Sequence, residues 1–520
     1  MRRRVLPGPV RVAVGVVAVV AIQATGVQPA RATDAEVTSD SSAQAYDLRS
    51  PTGETLLSRR RFTTMLGVGV YDLFDLRASA PAGDPGNATV PEINFKARLR
   101  YDADYGMSGG TVDPNNPTAL VPGASQSNVD LMYGYLEGRR FLKGWLGFKL
   151  GRQYTTDALG WWSFDGGVVS ATPPWFVKAE VYGGLEQRGG LALSSSRFES
   201  DGVWRGNRQN YDPALYPQFQ PAAIAPAYGA ALESTGVTWL HARLTYRRVY
   251  DTGASNTSEF ASGLYSPVIY DGTRISSDRL GYAIDANLHD WGGVKAGIVY
   301  DFYNDEATQA YATVDGYIGK KVTVSADYDY YVPTFDADSI WNFFAGEPMN
   351  DVGLRANVDL TDHISLSGGG KLRVYAVQTS QQSSSPYANY SPITALDVFP
   401  GNGHPFDEGG NLSARYRTGA TLVSLRSAGN WGDEGDRVGA DVAAQHVFES
   451  RYVTSVRTGV WQWDDKLRPD RDATSFNYVL GVGYRFAPRC TTLFEFEHDM
   501  NRLVGQRVRL MLMLSLAVGK

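Results

Sequence analysis

Basic side chains recur at every second position in several short segments of this sequence. In one of them, Lys96, Arg98 and Arg100 alternate with apolar residues. Cationic side chains gathered on one surface raise the local concentration of anions without any covalent chemistry. The basic residues in such positions are Lys96, Arg98, Arg100, Arg243, Arg247, Arg355, Lys371, Arg373, Arg415, Arg417, Arg507 and Arg509. These residues are the candidate anion-attracting groups of the chain.

Acidic residues occupy the same kind of alternating position. They are Asp102, Glu180, Asp327, Asp329, Glu495 and Glu497. Two interpretations follow from this mixture. The surface is either a basic-leaning wall that favours anionic solutes, or a mixed-charge wall of structural ion pairs with little selectivity. The sequence leaves both interpretations open.

A β-strand is the element that presents every second side chain to the same side. From Ile93 to Asp102, apolar residues fall on one face and polar or charged residues on the other. A helix would spread those charges around its circumference. The same alternation recurs in residues 240–247, 321–330, 351–360 and 508–518. The chain is therefore predicted to be all-β.

The connections between these segments fall into two length classes. Short connections lie at residues 290–292, 319–320, 361–363, 418–419 and 487–488, and long polar ones at 106–128, 251–278, 333–350 and 379–409. Short turns at one end and long loops at the other are typical of bacterial outer-membrane barrels. The sequence predicts a transmembrane, antiparallel, up-and-down β-barrel with short periplasmic turns and long extracellular loops. Eighteen strands is the preferred count, with 20 or 22 also open.

A membrane barrel also explains why one face of each strand is charged. In lipid every backbone polar group must be paired inside the protein, and closed barrels achieve this. A Lys or Arg facing the middle of the bilayer costs about 2–4 kcal/mol, so the charged face must look into a wet lumen. The alternative is a soluble two-layer sandwich, which would show the same alternation. The sorted connections and the leader described next favour the barrel.

The first residues have the three parts of a secretory signal. Basic residues at Arg2–Arg4 precede an apolar stretch at 12–27, and Ala30-Arg31-Ala32 is a small-residue cleavage pattern. We therefore predict a signal peptide over residues 1–32, a periplasmic segment over 33–58 and a barrel over 59–520. The predicted location is the outer membrane of a Gram-negative bacterium.

Composition excludes several classes of function. The leader contains five basic and no acidic residues, so its removal takes the net charge from −6 to −11. That balance argues against a nucleic-acid partner. The single cysteine, Cys490, excludes a disulfide framework within one chain. The six histidines show no metal-ligand spacing, and no cofactor is expected.

One local motif resembles a known family. Gly151-Arg152-Gln153 ends a predicted strand, and Phe164-Asp165-Gly166 follows after a pair of tryptophans. This arrangement resembles bacterial outer-membrane porins, and more closely the alginate-export type of barrel. The resemblance implies that a loop after Gly151 folds into the pore, with Arg152, Tyr154 and Asp165 as constriction candidates. The alternative is that Arg152 is a rim residue and the tryptophans belong to the aromatic girdle.

Three functional hypotheses follow. The first is a passive channel of porin or polymer-export type for small polar, possibly anionic solutes. The second is a non-conducting barrel with a structural, assembly or receptor role. The third and least supported is an outer-membrane hydrolase, because His498 and Asp499 are adjacent and would point to opposite faces of a strand. The expected partners are outer-membrane lipid, the solute and the barrel-assembly machinery, and the oligomeric state is open.

Overall fold

The computed structural model describes residues 34–74, 76, 90–107, 127–187, 225–251, 255–259, 266–270, 273–332, 348–375, 406–432, 435–466, 469–503 and 505–519. The predicted leader, residues 1–32, lies outside the described residues. No helix in the described part of the chain is long and apolar enough to cross a membrane.

Antiparallel strands account for almost all of the described chain. They are β1 (Asp34–Arg49), β2 (Thr55–Tyr71), β3 (Glu92–Met107), β4 (Ser127–Arg140), β5 (Leu146–Asp157), β6 (Gly160–Ala171), β7 (Val177–Glu186), β8 (Pro226–Ser234), β9 (Leu240–Asp251), β10 (Ser255–Glu259), β11 (Ser266–Tyr270), β12 (Arg274–Asn287), β13 (Gly292–Asp301), β14 (Glu306–Ile318), β15 (Val322–Tyr331), β16 (Met349–Asp359), β17 (Ile364–Tyr375), β18 (Phe406–Arg417), β19 (Thr421–Gly432), β20 (Gly435–Phe448), β21 (Tyr452–Asp465), β22 (Ala473–Ala487), β23 (Cys490–Asn501) and β24 (Gly505–Gly519). A four-residue helical turn, Phe141–Gly144, and a 3-10 turn, Pro469–Arg471, complete the elements.

Within the described residues, twenty-two of these strands form one closed barrel. Each strand pairs with its neighbours in chain order, except that β9 pairs with β12, while β10 and β11 form a separate hairpin. The barrel closes where β1 pairs with β24, as in Asp40↔Ser515. The preferred count of 18 strands is wrong, and the alternative of 22 is confirmed.

The predicted periplasmic segment over residues 33–58 is also wrong. Residues 34–49 form β1, which pairs along its length with β2 and β24, so the barrel begins well before residue 59. Asp40 faces the lumen, so its neighbours Ser39 and Ser41 face outward, together with small apolar residues. That face is too weakly apolar for alternation to reveal it.

The connections sort by length between the two ends of the barrel, as predicted. At the end where β1 begins and β24 ends, the connections are 72–91, 141–145, 172–176, 235–239, 288–291, 319–321, 360–363, 418–420, 449–451 and 488–489. We call this the turn end. At the other end, the loop end, the connections 108–126, 187–225, 252–273, 332–348 and 376–405 are long, although others there are short. Residues 72–91 are the long exception at the turn end.

The two faces of the strands differ in chemistry, as the alternation predicts. Outward positions carry large apolar side chains in open contact with the surroundings, such as Leu354, which is 63% exposed. The neighbouring Arg355 faces inward, opposite Ser325 and Gly369. A closed barrel with an apolar exterior leaves no open sheet edge and no charged outer band, which is the arrangement that lipid requires.

Candidate functional site

One hairpin leaves the barrel wall near the predicted constriction. Strand β4 pairs with β5 only between Phe148 and Arg152, and β7 pairs with β6 only from Phe164 onward. Between these limits, β5 and β6 pair only with each other. We call residues 153–163 the inward hairpin, because the contacts of its tip place it inside the barrel.

The bend at the base of the inward hairpin depends on glycine. Gly151 has a φ of +127°, a conformation that other residues rarely adopt. A side chain there would also clash with the carbonyl oxygen of Gly134 on β4. The register stays continuous through Gly151, so the bend is a change of direction and not an inserted residue.

The tip of the inward hairpin reaches strands that are far from its own. The Arg247 guanidinium on β9 donates a hydrogen bond to the Leu159 carbonyl at 3.2 Å. On β12, a Cβ added to Gly281 would lie 2.8 Å from Leu159 Cδ2 and 2.9 Å from Ala158 Cβ. Since β7 and β8 lie between the hairpin and these strands, the hairpin must cross their inner surface. It therefore occupies part of the lumen.

Aromatic side chains hold the inward hairpin against the wall. Trp162 and Phe164 stack with ring centroids 4.1 Å apart, and both pack on Tyr182 of β7. Phe164 is only 1% exposed and belongs to a buried cluster that also contains Val249 of β9. Burying one such side chain stabilises a fold by about 1.5–3 kcal/mol.

Polar contacts also hold the inward hairpin against the wall. Trp162 Nε1 donates to Glu186 at 2.7 Å, and the Arg247 guanidinium lies 4.9 Å from the Trp162 ring centroid. Arg247 itself is 7% exposed. This predicted lumen residue therefore serves as a support beneath the inward hairpin.

The three constriction candidates lie together at the base of the hairpin. Arg152 and Asp165 are cross-strand partners, and they form a bidentate ion pair with distances of 2.7 and 2.9 Å. Arg152 also donates to the Leu131 carbonyl at 3.0 Å, and Gln187 donates to Asp165 at 2.9 Å. Because Arg152 shares a strand face with lipid-facing Leu150, only the bend at Gly151 can turn it away from the exterior.

Tyr154 continues this arrangement along the hairpin. Its ring stacks with Trp161 at 6.3 Å and contacts Tyr133 at 5.8 Å. Tyr133 lies on β4 opposite Arg98, so it belongs to the inward face of the wall. The aromatic girdle alternative for Trp162 is wrong, because its side chain packs inside the barrel and not at the membrane interface.

The wall beneath and beside the hairpin is rich in ion pairs. Arg243 contacts Glu180 at 2.5 Å and Glu233 at 2.7 Å, and Lys178 contacts the same two carboxylates. We call the inward faces of β7, β8, β9 and β12 the covered wall. Other predicted lumen residues are paired in the same way. These pairs are Lys96 with Glu137, Arg98 with Asp40, Arg373 with Asp351, Arg507 with Glu497 and Asp499, and Arg509 with Glu497.

Arg100 is also buried, at 5% exposure, and it is not without a partner. The residues with carboxylate partners form ion pairs of the kind that the mixed-charge interpretation expects. They neutralise acidic neighbours on the same inner surface.

The inward faces of β16–β22, which we call the open wall, differ from the covered wall. Apart from Arg373, which pairs with Asp351, their basic residues are exposed, and none of these forms an ion pair with a carboxylate of the described residues. They are Arg355, Lys371, Arg415 and Arg417, which the sequence predicted, and Arg426, Arg437, Arg457 and Arg485, which it missed. The signal for the missed four was available, since each alternates with outward residues such as Leu425 and Val438.

The residues considered for catalysis do not come together. His498 contacts the Tyr478 ring on one face of β23, whereas Asp499 pairs with Arg507 on the other. Among the described residues, no group of three or more His, Cys, Asp or Glu side chains is arranged to hold a metal ion.

Comparison with known proteins gives distant likenesses. No protein-family model matches the chain, and no curated protein matches its sequence. Among solved structures, the chain is similar to OccAB4 of Acinetobacter baumannii, with 8% identity, a TM-score of 0.41, and coverage of 94% of this chain and 98% of that one. It is similar to OpdQ of Pseudomonas aeruginosa, with 9% identity, a TM-score of 0.41, and coverage of 94% and 100%. It is also similar to a BenF-like porin from Pseudomonas fluorescens Pf-5, with 7% identity, a TM-score of 0.41, and coverage of 94% of this chain and 99% of that one. Similarity this low leaves the family of this chain undetermined.

Proposed function

We propose that this protein is an outer-membrane channel through which small polar solutes diffuse passively, with a preference for anions. The observation that carries the proposal is the pairing of an inward hairpin with an opposing wall of exposed cations. The hairpin narrows the lumen from one side, and the open wall supplies the charge along which a solute would move. No cofactor and no energy source enter this mechanism.

Location in a membrane is supported by the exterior of the barrel. The ring of strands has no free edge, and its outward positions are dominated by residues such as Leu354, Leu412 and Val482. We propose that residues 1–32 direct export and that the barrel is inserted into the outer membrane of a Gram-negative cell. Insertion at that site would need the barrel-assembly machinery as a partner.

The constriction role is proposed for Arg152, Tyr154 and Asp165. These residues lie where the inward hairpin leaves the wall, and Asp165 keeps 39% of its side chain exposed although it is paired with Arg152. A fixed charge pair beside a narrowing orients a passing dipole or ion through direct electrostatic contact.

The anion preference is proposed for the open wall. Charges paired across 2.5–2.8 Å, as in the covered wall, largely cancel each other's field in the lumen. Exposed cations such as Arg426 and Arg457 are not cancelled in this way, so their field extends into the pore water. We attribute the anion preference to these exposed cations of the open wall.

Planar-bilayer recording of the purified protein tests the proposal. We expect stepwise current increases as single channels insert, together with a reversal potential on the anion side in a salt gradient. A protein that inserts into the bilayer but carries no current would contradict the channel and favour the non-conducting barrel. Current with a cation preference would retain the channel and reject the role given to the open wall.

A further inference from the structure

A cavity lies near the loop end of the barrel, away from the inward hairpin. It has a volume of about 720 Å³ and lies along β20–β24 and β1. Its lining includes Tyr46, Arg437, Trp461, Trp463, Asn477 and Arg507. Cavities of about 300–1,000 Å³ are large enough to hold a small-molecule ligand.

The cavity contains an aromatic surface. Trp463 faces inward, opposite Arg437 and Ala473, and is 40% exposed. Trp461 lies two residues away on the same face, and its indole is packed so closely over Gly439 that any side chain there would clash with it. The Arg437 guanidinium, 4.6 Å from the Trp461 ring centroid, covers that ring. Trp463 is therefore the ring left available to a ligand.

Apart from Arg437, which covers the Trp461 ring, the polar groups around Trp463 are neutral or internally neutralised. Arg507 forms an ion pair with Asp499 at 2.7 Å, so neither charge acts alone. Asn477 and Ser475 add an amide and a hydroxyl, and Tyr46 adds a phenol. An exposed aromatic ring surrounded by alternating donors and acceptors suits a ligand with an apolar ring face and a rim of hydroxyl groups.

We propose that this cavity is a binding site for a sugar of the pyranose class. The apolar face of the sugar ring stacks on Trp463, while its hydroxyl groups exchange hydrogen bonds with Asn477 and with the Arg507–Asp499 pair. The site lies on the path that the proposed function assigns to solutes, and to that extent the inference rests on the proposed function. It adds a substrate class that the open wall alone does not specify.

The test measures current through single channels while cellobiose is added at the loop end. In the wild-type protein, cellobiose reduces the current in a saturable way. Trp463→Ala raises the half-blocking concentration by about tenfold, the loss expected for one stacking contact. Trp463→Phe, which keeps an aromatic face, restores part of the block. Trp291→Ala, which removes an exposed tryptophan at the turn end, leaves the block unchanged.

Two results would overturn the sugar site. They are no block of the wild-type channel by cellobiose, whether or not benzoate blocks it, and an unchanged block in Trp463→Ala. Stepwise current of Trp463→Ala in salt alone shows that the variant is folded and open.

Calorimetric titration of the detergent-purified protein with cellobiose separates the two proposals. Binding without any bilayer current would reject the channel and retain the sugar site. Current without binding would retain the channel and reject the site.

Discussion

The covered wall and the open wall contain the same kind of residue in opposite environments. On the covered wall, the Arg243 side chain is 17% exposed and held between two carboxylates. On the open wall, Arg426 and Arg457 are exposed and form no ion pair with a described carboxylate. All three alternate with outward apolar residues on their strands. Position on a strand therefore decides only that a side chain faces the lumen, and its neighbours on other strands decide what it does there.

The difference has a physical basis in solvation. A buried cation needs close carboxylates, because the loss of hydration is larger than a single weak contact can offset. An exposed cation keeps its water and acts on ions within a Debye length, about 8 Å at physiological salt. The inward hairpin packs on Tyr182 and Arg247 of the covered wall, whereas the cations of the open wall stay in contact with the lumen.

Removing the inward hairpin gives the largest expected change. Arg152 on β5 and Phe164 on β6 lie side by side at the base of the inward hairpin. A short glycine-serine link between them can therefore replace residues 153–163. Single-channel conductance should rise severalfold as the lumen widens. A conductance equal to that of the wild type would contradict the constriction role.

A locked hairpin is the matched control for this deletion. A disulfide between Leu159→Cys and Gly281→Cys, made with Cys490→Ser, should form readily because the tip already contacts β12. Oxidation should leave the conductance close to that of the wild type. Failure of the disulfide to form would show that the hairpin does not occupy this position.

Charge reversal on the open wall should change ion selectivity strongly. Arg426→Glu combined with Arg457→Glu should move the reversal potential from the anion side toward the cation side. The control on the covered wall is Arg243→Gln, which should keep the selectivity but lower the free energy of unfolding, since Glu180 and Glu233 then keep only Lys178 as a shared cationic partner. Equal effects of the two changes on selectivity would remove the distinction between the walls.

Breaking the charge pair at the base of the hairpin should have an intermediate effect. Arg152→Ala should alter single-channel conductance or selectivity, because Asp165 would then face the lumen without its bidentate partner. The double variant Arg152→Ala with Asp165→Ala should return selectivity toward the wild-type value. Recordings indistinguishable from wild type in both variants would place Arg152 outside the constriction.

Adding a side chain on β12, where the hairpin tip contacts it, should have the smallest effect. Gly281→Leu places a side chain against Ala158 and Leu159, and overpacking of this kind destabilises a fold by about 1–3 kcal/mol. Thermal unfolding in detergent should show this loss, and conductance should rise modestly as the tip is displaced. Gly316→Leu, at a glycine with more space around it, is a suitable control. An unchanged midpoint for Gly281→Leu would indicate that the tip is not seated there.

Much of the fold follows from the sequence, because alternation is a local property. The faces of β3, β9, β15 and β16 are confirmed, and so is the sorting of connections. The start of the barrel was missed, since the outward face of residues 34–49 is small and partly polar. The preferred count of 18 strands is too low for the same reason, because the alternation of strands such as β8 is weak.

The site was only partly predictable, because its geometry depends on distant strands. Gly151 and Arg152 mark the place where the hairpin leaves the wall, but no local pattern in residues 153–163 shows which distant strands its tip contacts. The direction of the fold depends on Gly281, more than a hundred residues away. The partner of Arg243 was equally hidden, since Glu180 lies on β7, which is not a neighbour of β9.

The central claim is tested most directly by the reversal potential of the wild-type channel in a potassium chloride gradient at low and high salt. We expect an anion preference that is clear at 0.1 M and reduced at 1 M, as the Debye length falls from about 10 Å to about 3 Å. A reversal potential on the cation side at low salt, or one that does not respond to salt, would contradict the account of an exposed cationic wall.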